Sequence, residues 1–257
     1  MLAPVALVPR PGTSLAELDQ WFTTAAGCAS LPVTRLTRTY FDTVDGRLFR
    51  AGLVLEHELL EGRRWWRVRR LDQPSALVLA QAPAGPLGPG PRLAPEALAD
   101  GRLRALLEPA SGGRALLAVL HTEATPRRYR LPDELDKAVV RVSVTAGSVR
   151  RVDGVRSPGA GAGAGADHDV RPSGGRARAD LLDPVITLSP VRGHDKAFGR
   201  LVDLVRVQFS ARSATDPLRR AARRASMTLG TDPGDRTAPL RPDLAKRVAR
   251  SAQQGAR

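Results

Sequence analysis

The chain has 257 residues, with 40 Lys or Arg against 26 Asp or Glu and a formal charge of +14. That length buries one good core with at most a small appendage, and the positive surplus favours anionic partners without selecting among them. A single cysteine, Cys28, excludes an internal disulfide framework and a cysteine-based zinc site, and fits a reducing compartment.

No apolar run approaches the roughly 18 residues of a membrane-spanning helix. No basic region precedes the short apolar stretch after Met1, so the expected location is cytoplasmic, with no membrane partner. Lysine occurs only at Lys137, Lys196 and Lys246, an arginine bias typical of a GC-rich coding genome.

In chain order, residues 2–9 read as a short strand. Residues 14–25 read as a helix, capped by Ser14 with Leu15, Leu18 and Phe22 at helical spacing. Strands are expected over 33–42 and 52–60, separated by the turn Asp42-Thr43-Val44-Asp45-Gly46, and again over 65–71 and 75–82. A Pro/Gly loop over 83–92 precedes a helix over 94–108. Two long strands follow, 114–131 and 138–150. The low-complexity Gly/Ala/Arg segment 154–179 is expected as a long flexible hairpin loop. A last strand, 180–190, leads into an amphipathic helix over 195–209 that aligns Phe198, Leu201, Val202 and Val205.

Beyond Ser210 the composition shifts. Residues 216–229 start with Asp216 and Pro217, a cap followed by proline at the first helical position, and carry two arginine pairs. Residues 211–257 hold 11 basic and 4 acidic side chains, half of the net charge. The expected organisation is therefore a domain over 1–210 and a basic, helical or disordered tail over 211–257. That tail is either simply solvated or a contact for nucleic acid or another polyanion.

The run Thr39-Tyr40-Phe41-Asp42-Thr43-Val44-Asp45-Gly46-Arg47-Leu48-Phe49-Arg50-Ala51-Gly52-Leu53 resembles a signature of the CYTH family, the triphosphate-tunnel proteins: YYDTPDxRLxxAGxxLRxR. The resemblance implies an α+β fold: an antiparallel eight-stranded β-barrel enclosing a tunnel, with flanking helices and, here, the basic C-terminal tail. In that family acidic residues in the tunnel hold magnesium or manganese, and rings of arginine and lysine hold a triphosphate.

Most of those positions are replaced in this chain. The family's opening ExExK strand, aligned on Val8-Pro9, puts Met1, Ala3 and Val5 where Glu, Glu and Lys belong. Met1 to Pro9 carries no charged side chain in any register. The LRxR strand reads Leu55-Glu56-His57-Glu58, so Glu56 and Glu58 are expected to line the tunnel in place of arginines. The next strand keeps its pattern as Trp66-Arg67-Val68-Arg69.

With a hairpin turning around 61–64, Glu58 would face Arg67 and Glu56 would face Arg69. All four would share one face and form two cross-strand ion pairs. Arg69 is the basic tunnel position carried over most directly from the family. Arg67 completes the expected phosphate-binding set with Arg127, which neighbours a proline at the family's arginine position. The later strands 138–144 and 184–189, which supply carboxylates in the family, supply none.

Without carboxylate oxygens a hard divalent ion has little to bind. No catalytic residue, metal ligand or cofactor is therefore assigned; magnesium or manganese enters only if Glu56, Glu58, Glu123 or Asp136 were recruited in a rearranged tunnel. The four histidines lack metal-like spacing, and Trp65-Trp66 among arginines reads as one core and one barrel-face indole rather than a stacking platform. The expected function is a non-catalytic domain that binds polyphosphate, an organic phosphate or another polyanion. Two alternatives stay open: a metal-dependent triphosphatase, and nucleic-acid binding through the tail. Oligomeric state is not readable at this level.

Overall fold

Alternating side chains let each strand serve two cores at once, and the fold is built on that division. The computed structural model describes residues 2–71, 78–87, 92, 93, 98, 100–152 and 179–225. The expected Gly/Ala/Arg loop, save its last residue, and everything after residue 225 lie outside these.

In chain order the elements are β1 (Val5–Val8), α1 (Leu15–Thr24), β2 (Ala29–Leu31), β3 (Leu36–Asp42), α2 (Arg47–Arg50), β4 (Leu53–Leu60), β5 (Arg63–Arg70) and β6 (Val78–Pro83). They continue with β7 (Arg92–Leu93), α3 (Gly101–Ser111), β8 (Leu116–Ala124), β9 (Arg127–Pro132), β10 (Ala138–Arg151), β11 (Asp180–Pro190), α4 (Asp195–Phe209), β12 (Arg212–Ser213) and α5 (Pro217–Arg224). All strand pairs are antiparallel, in the order β12-β1-β11-β10-β8-β3-β4-β5-β6, with β9 carrying β2 alongside β10, and β7 beside β8.

The expectation of an eight-stranded closed barrel needs correction. Among the described residues the sheet has twelve strands, and its end strands β12 and β6 do not pair with each other. One cause is local: Pro126 cannot donate to a ladder, so the strand expected over 114–131 breaks into β8 and β9. β10 then pairs with β9 along its first half and with β8 along its second, across a bulge between Thr145 and Gly147. Strands β1 and β3, far apart in the sheet order, nevertheless face one cavity, so the sheet wraps around an interior.

Outside that interior sit two apolar layers. Helices α1 and α4 cover β1 and β9–β11 with Phe22, Phe198 and Phe209 packed on Leu7, Tyr129, Ile186 and Leu188. Helix α3 places Leu103 and Leu107 against Leu55, Trp66 and Val68. Ser14 caps α1 as its position predicts, accepting from Glu17 N at 3.1 Å.

The first strand shows how a one-residue register error reverses a face. Val5 and Leu7 pack outward on the helices, whereas Ala6 sits opposite Thr187 and lines the interior. The inward position is Ala6, not Val5 as the family alignment implies, and Met1 lies outside the described residues. The strand is uncharged in either register.

The Asp-Thr signature turns out to be a helix-start device. The Asp42 carboxylate accepts from the backbone N–H groups of Thr43, Leu48 and Phe49 at 2.7, 2.8 and 3.0 Å, and Thr43 Oγ1 accepts from Arg47 N at 2.9 Å. Their acceptance organises the short helix α2, which follows directly on the expected turn Asp42–Gly46, and it delivers Phe49 to the interior.

Candidate functional site

Period-two alternation in β3, β4 and β5 turns Arg38, Tyr40, Val54, Glu56, Glu58, Arg67 and Arg69 to the same side. The β4–β5 connection is a two-residue turn with Glu61 and Gly62 both left-handed (φ 53° and 77°), so Leu60 pairs with Arg63. This shortens the expected loop by two and sets Glu56, not Glu58, directly opposite Arg67. The predicted ion pairs form nonetheless, along the diagonal: Arg67 Nη1 to Glu58 Oε1 at 2.6 Å, and Arg69 Nε to Glu56 Oε2 at 3.4 Å. The first is ionic in character, with no N–H aligned on that oxygen.

Two further members were not singled out from sequence. Arg38 donates from Nε to Glu58 Oε2 at 2.8 Å. Asp216, at the start of α5, takes both Nη atoms of Arg69, with Nη2 to Oδ1 at 3.2 Å, while also accepting from Leu218 N at 2.7 Å. Glu56, Glu58, Arg69 and Asp216 are 4, 1, 4 and 3 % exposed. At that burial an unmatched charge is costly, and here three guanidiniums (Arg38, Arg67, Arg69) meet three carboxylates. Burial disfavours charge on Arg38 and Arg69, but the combined pull of the surrounding acids (Glu56 and Glu58 on Arg38, Glu56 and Asp216 on Arg69) outweighs it, and both are held above their ordinary value.

Helix α5 fills the space beside this network. Its Leu218, Ala221 and Ala222, with Ala225, pack on Tyr40, Phe49, Val54, Leu71, Leu120 and Val149, and Arg219 lies over the Phe49 ring at 5.0 Å. Residues 212–225, assigned by composition to the tail, thus belong to the sheet and its interior: β12 pairs with β1, and α5 is packed within. What remains open is a cavity of about 120 Å³ bordered by Ala6, Tyr40, Thr122, Thr145, Thr187 and Pro217.

A wider cleft of about 930 Å³ adjoins it across Ala124, Ala146, Gly147 and Leu182. Arg127 lines this cleft, apart from Arg67 and Arg69, and pairs with Asp19 of α1 at 3.0 Å. Arg35 and Arg128 on the same walls pair with Glu123 and Glu61 at 2.7 and 2.6 Å.

A magnesium or manganese ion does not fit this donor set. Glu56, Glu58 and Asp216 each contact a guanidinium. Of the other candidate ligands, Glu123 is held by Arg35 and His121, and Asp136 by Arg130. Among the described residues no three His, Cys, Asp or Glu side chains gather as a metal site. Nor is any described helix long and apolar enough to cross a membrane.

The opposite face of β3, β4 and β8 carries His57 and His121. His57 Nε2 lies 3.0 Å from Gly85 O with its ring edge-on to Trp66, and His121 bridges Thr39 and Glu123 at 3.1 and 3.3 Å. Burial pushes both imidazoles below their ordinary value. The unfolded chain therefore takes up these protons first, and their contribution to stability, complete above about pH 6.5, is lost as the pH falls. Thermal melting should drop as the pH falls below about 6.5, and a His57→Gln/His121→Gln variant should flatten that dependence; an unchanged slope would contradict the assignment.

No family model matches the chain, and no curated protein resembles it in sequence. Solved structures do. A Hippeastrum protein named for adenylyl cyclase, and described as having a dominant triphosphatase activity, superposes with a TM-score of 0.53 at 11% identity, over 88% of this chain and 96% of its own. Weaker likenesses are a Bacillus halodurans protein named for adenylate cyclase (TM-score 0.47, 9% identity, 85% of this chain and 96% of the other) and PH1819 of Pyrococcus horikoshii (0.41, 11%, 84% and 96%). The interior-lining strands, the helix-start signature and the first of these superpositions agree: the chain has the CYTH triphosphate-tunnel fold.

Proposed function

We propose that this chain is a non-catalytic protein of the tunnel fold that binds polyanions such as polyphosphate through surface arginines. The observation that carries the reading is the state of Arg69: enclosed, charge-matched by Glu56 and Asp216, and roofed by α5. An arginine so engaged must shed an internal carboxylate before it can take a phosphate. Arg67 is likewise committed to Glu58, with Gln81 at 2.8 Å.

Surface charge is arranged differently. Around Asp45 three guanidiniums converge: Arg47 at 2.9 Å, Arg114 at 3.1 Å and Arg50 at 3.6 Å. Desolvation works to raise the Asp45 carboxyl, yet bonds from Arg47 and Thr43 and the charge of Arg114 hold it at about 2. Three cations on one anion leave a local surplus that a phosphate chain can neutralise, and Arg223 and Arg224 of the neighbouring α5 are also exposed.

The test is an assay of the purified full chain with inorganic triphosphate and nucleoside triphosphates, each with magnesium or manganese, alongside retention on immobilised polyphosphate. No turnover is expected, with retention that weakens steeply as salt rises. Arg50→Ser/Arg114→Ser should lower the salt slope by about 2. Metal-dependent turnover abolished by Glu56→Gln would establish the triphosphatase alternative instead.

A further inference from the structure

We infer that the groove between α4 and the β9–β10 turn is a self-association surface whose occupant is a second copy of this chain. Helix α4 buries Leu201 (3 % exposed) but leaves Leu204 and Val207 at 55 and 82 %. Facing it, the turn holds up Leu135, 73 % exposed. Between helix and turn lies a groove of about 600 Å³ with Leu131, Val139 and Leu201 among its lining residues. Single exposed leucines are ordinary on a protein surface. An apolar knob standing on the edge of an apolar groove is a different arrangement.

The lips identify the occupant. The turn side is acidic, with Asp133 and Glu134; the helix side is basic, with Arg200 and His194. A ligand of one sign, such as the polyanion proposed above, would be repelled by one lip. A partner that suits both must bring a knob, a groove and the two signs in reversed order, and a two-fold-related copy supplies all of these. In that contact Leu135 enters the partner's groove, and Glu134 meets the partner's Arg200, with the reciprocal set completing it.

The experiment is analytical ultracentrifugation of the full chain across concentration, with circular dichroism verifying that each variant folds. A concentration-dependent dimer is expected. Leu204→Glu should weaken it at least about tenfold, since it seats an unpaired carboxylate at the apolar centre. Glu134→Arg and Arg200→Glu should each weaken it about tenfold, and the two together should restore association by reversing both lips. Three outcomes would overturn the inference. One is a monomer up to about 100 μM. Another is a dimer indifferent to Leu204→Glu, which would place self-association on another face. The third is a monomer whose Leu204→Glu variant melts early, which would mean that the groove is covered by the chain's own remaining segments.

Discussion

Replacing Asp216 with alanine is expected to destabilise the fold by about 3 kcal/mol, the lower end of what breaking a buried ion pair costs, because Arg69 keeps Glu56 as a partner. For a chain of this size that corresponds to a fall of roughly 6–12 °C in melting temperature. Three consequences coincide at one residue. Arg69, 4 % exposed, loses a bidentate acceptor. The N-terminus of α5 loses its cap at Leu218, and the helix loses the polar anchor that holds its apolar side on Tyr40 and Leu120.

Asp216→Asn separates these terms, since the amide preserves shape and an acceptor for the cap but removes the charge. Its melting temperature should fall between wild type and the alanine variant. If Asp216→Ala melts within about 2 °C of wild type, the ion pair is not what secures α5, and the case for a self-neutralised interior goes with it.

Short-range features were legible from the sequence because they depend on neighbours. Ser14 with Leu18 and Phe22 gave α1 almost to the residue, and Phe198, Leu201, Val202 and Val205 gave α4. The four charges on β4 and β5 were placed on the correct face because parity survives a register shift of two. Their opposition was misjudged because the tight turn puts Glu61 at φ 53°, a backbone region glutamate seldom visits and composition does not announce.

The place of α5 was not legible at all. PLRRAARR reads as a solvated basic helix, and only a partner 147 residues away, Arg69, shows that Asp216 faces inward. The same limit hid Arg38, whose role requires Glu58 on the adjacent strand. Sequence thus placed two glutamates and two arginines on one face; the three-dimensional contacts show that their charges are balanced together with Asp216, from the far end of the chain. The interior arginines of this chain have their counter-charges built in, and the run from Asp42 to Arg47 supports structure, its carboxylate and hydroxyl accepting from the backbone N–H groups that start α2.

Gly147 should tolerate substitution least among the interior-facing residues of β10. Its backbone is not left-handed, so space alone decides. A Cβ there would stand 2.1 Å from Glu123 O, 2.8 Å from Ala124 Cα and 2.9 Å from Ala124 Cβ. The nearest two of these are backbone atoms and cannot swing aside as a flexible side chain would. They belong to β8 where it meets the second half of β10, just past the bulge that hands β10 over from β9. Relieving the overlap means pushing β8 away from β10, and with it Thr122 and Ala124, which border the small cavity. Gly147→Ala is therefore expected to cost about 3 kcal/mol, at the upper end for overpacking, and Gly147→Val more. In urea unfolding the midpoint should drop while the slope stays constant, since stability changes and the surface exposed on unfolding does not. A Gly147→Ala midpoint equal to wild type would mean that β8 and β10 separate without penalty at this point, and that the wall between cleft and cavity is looser than the close approach implies.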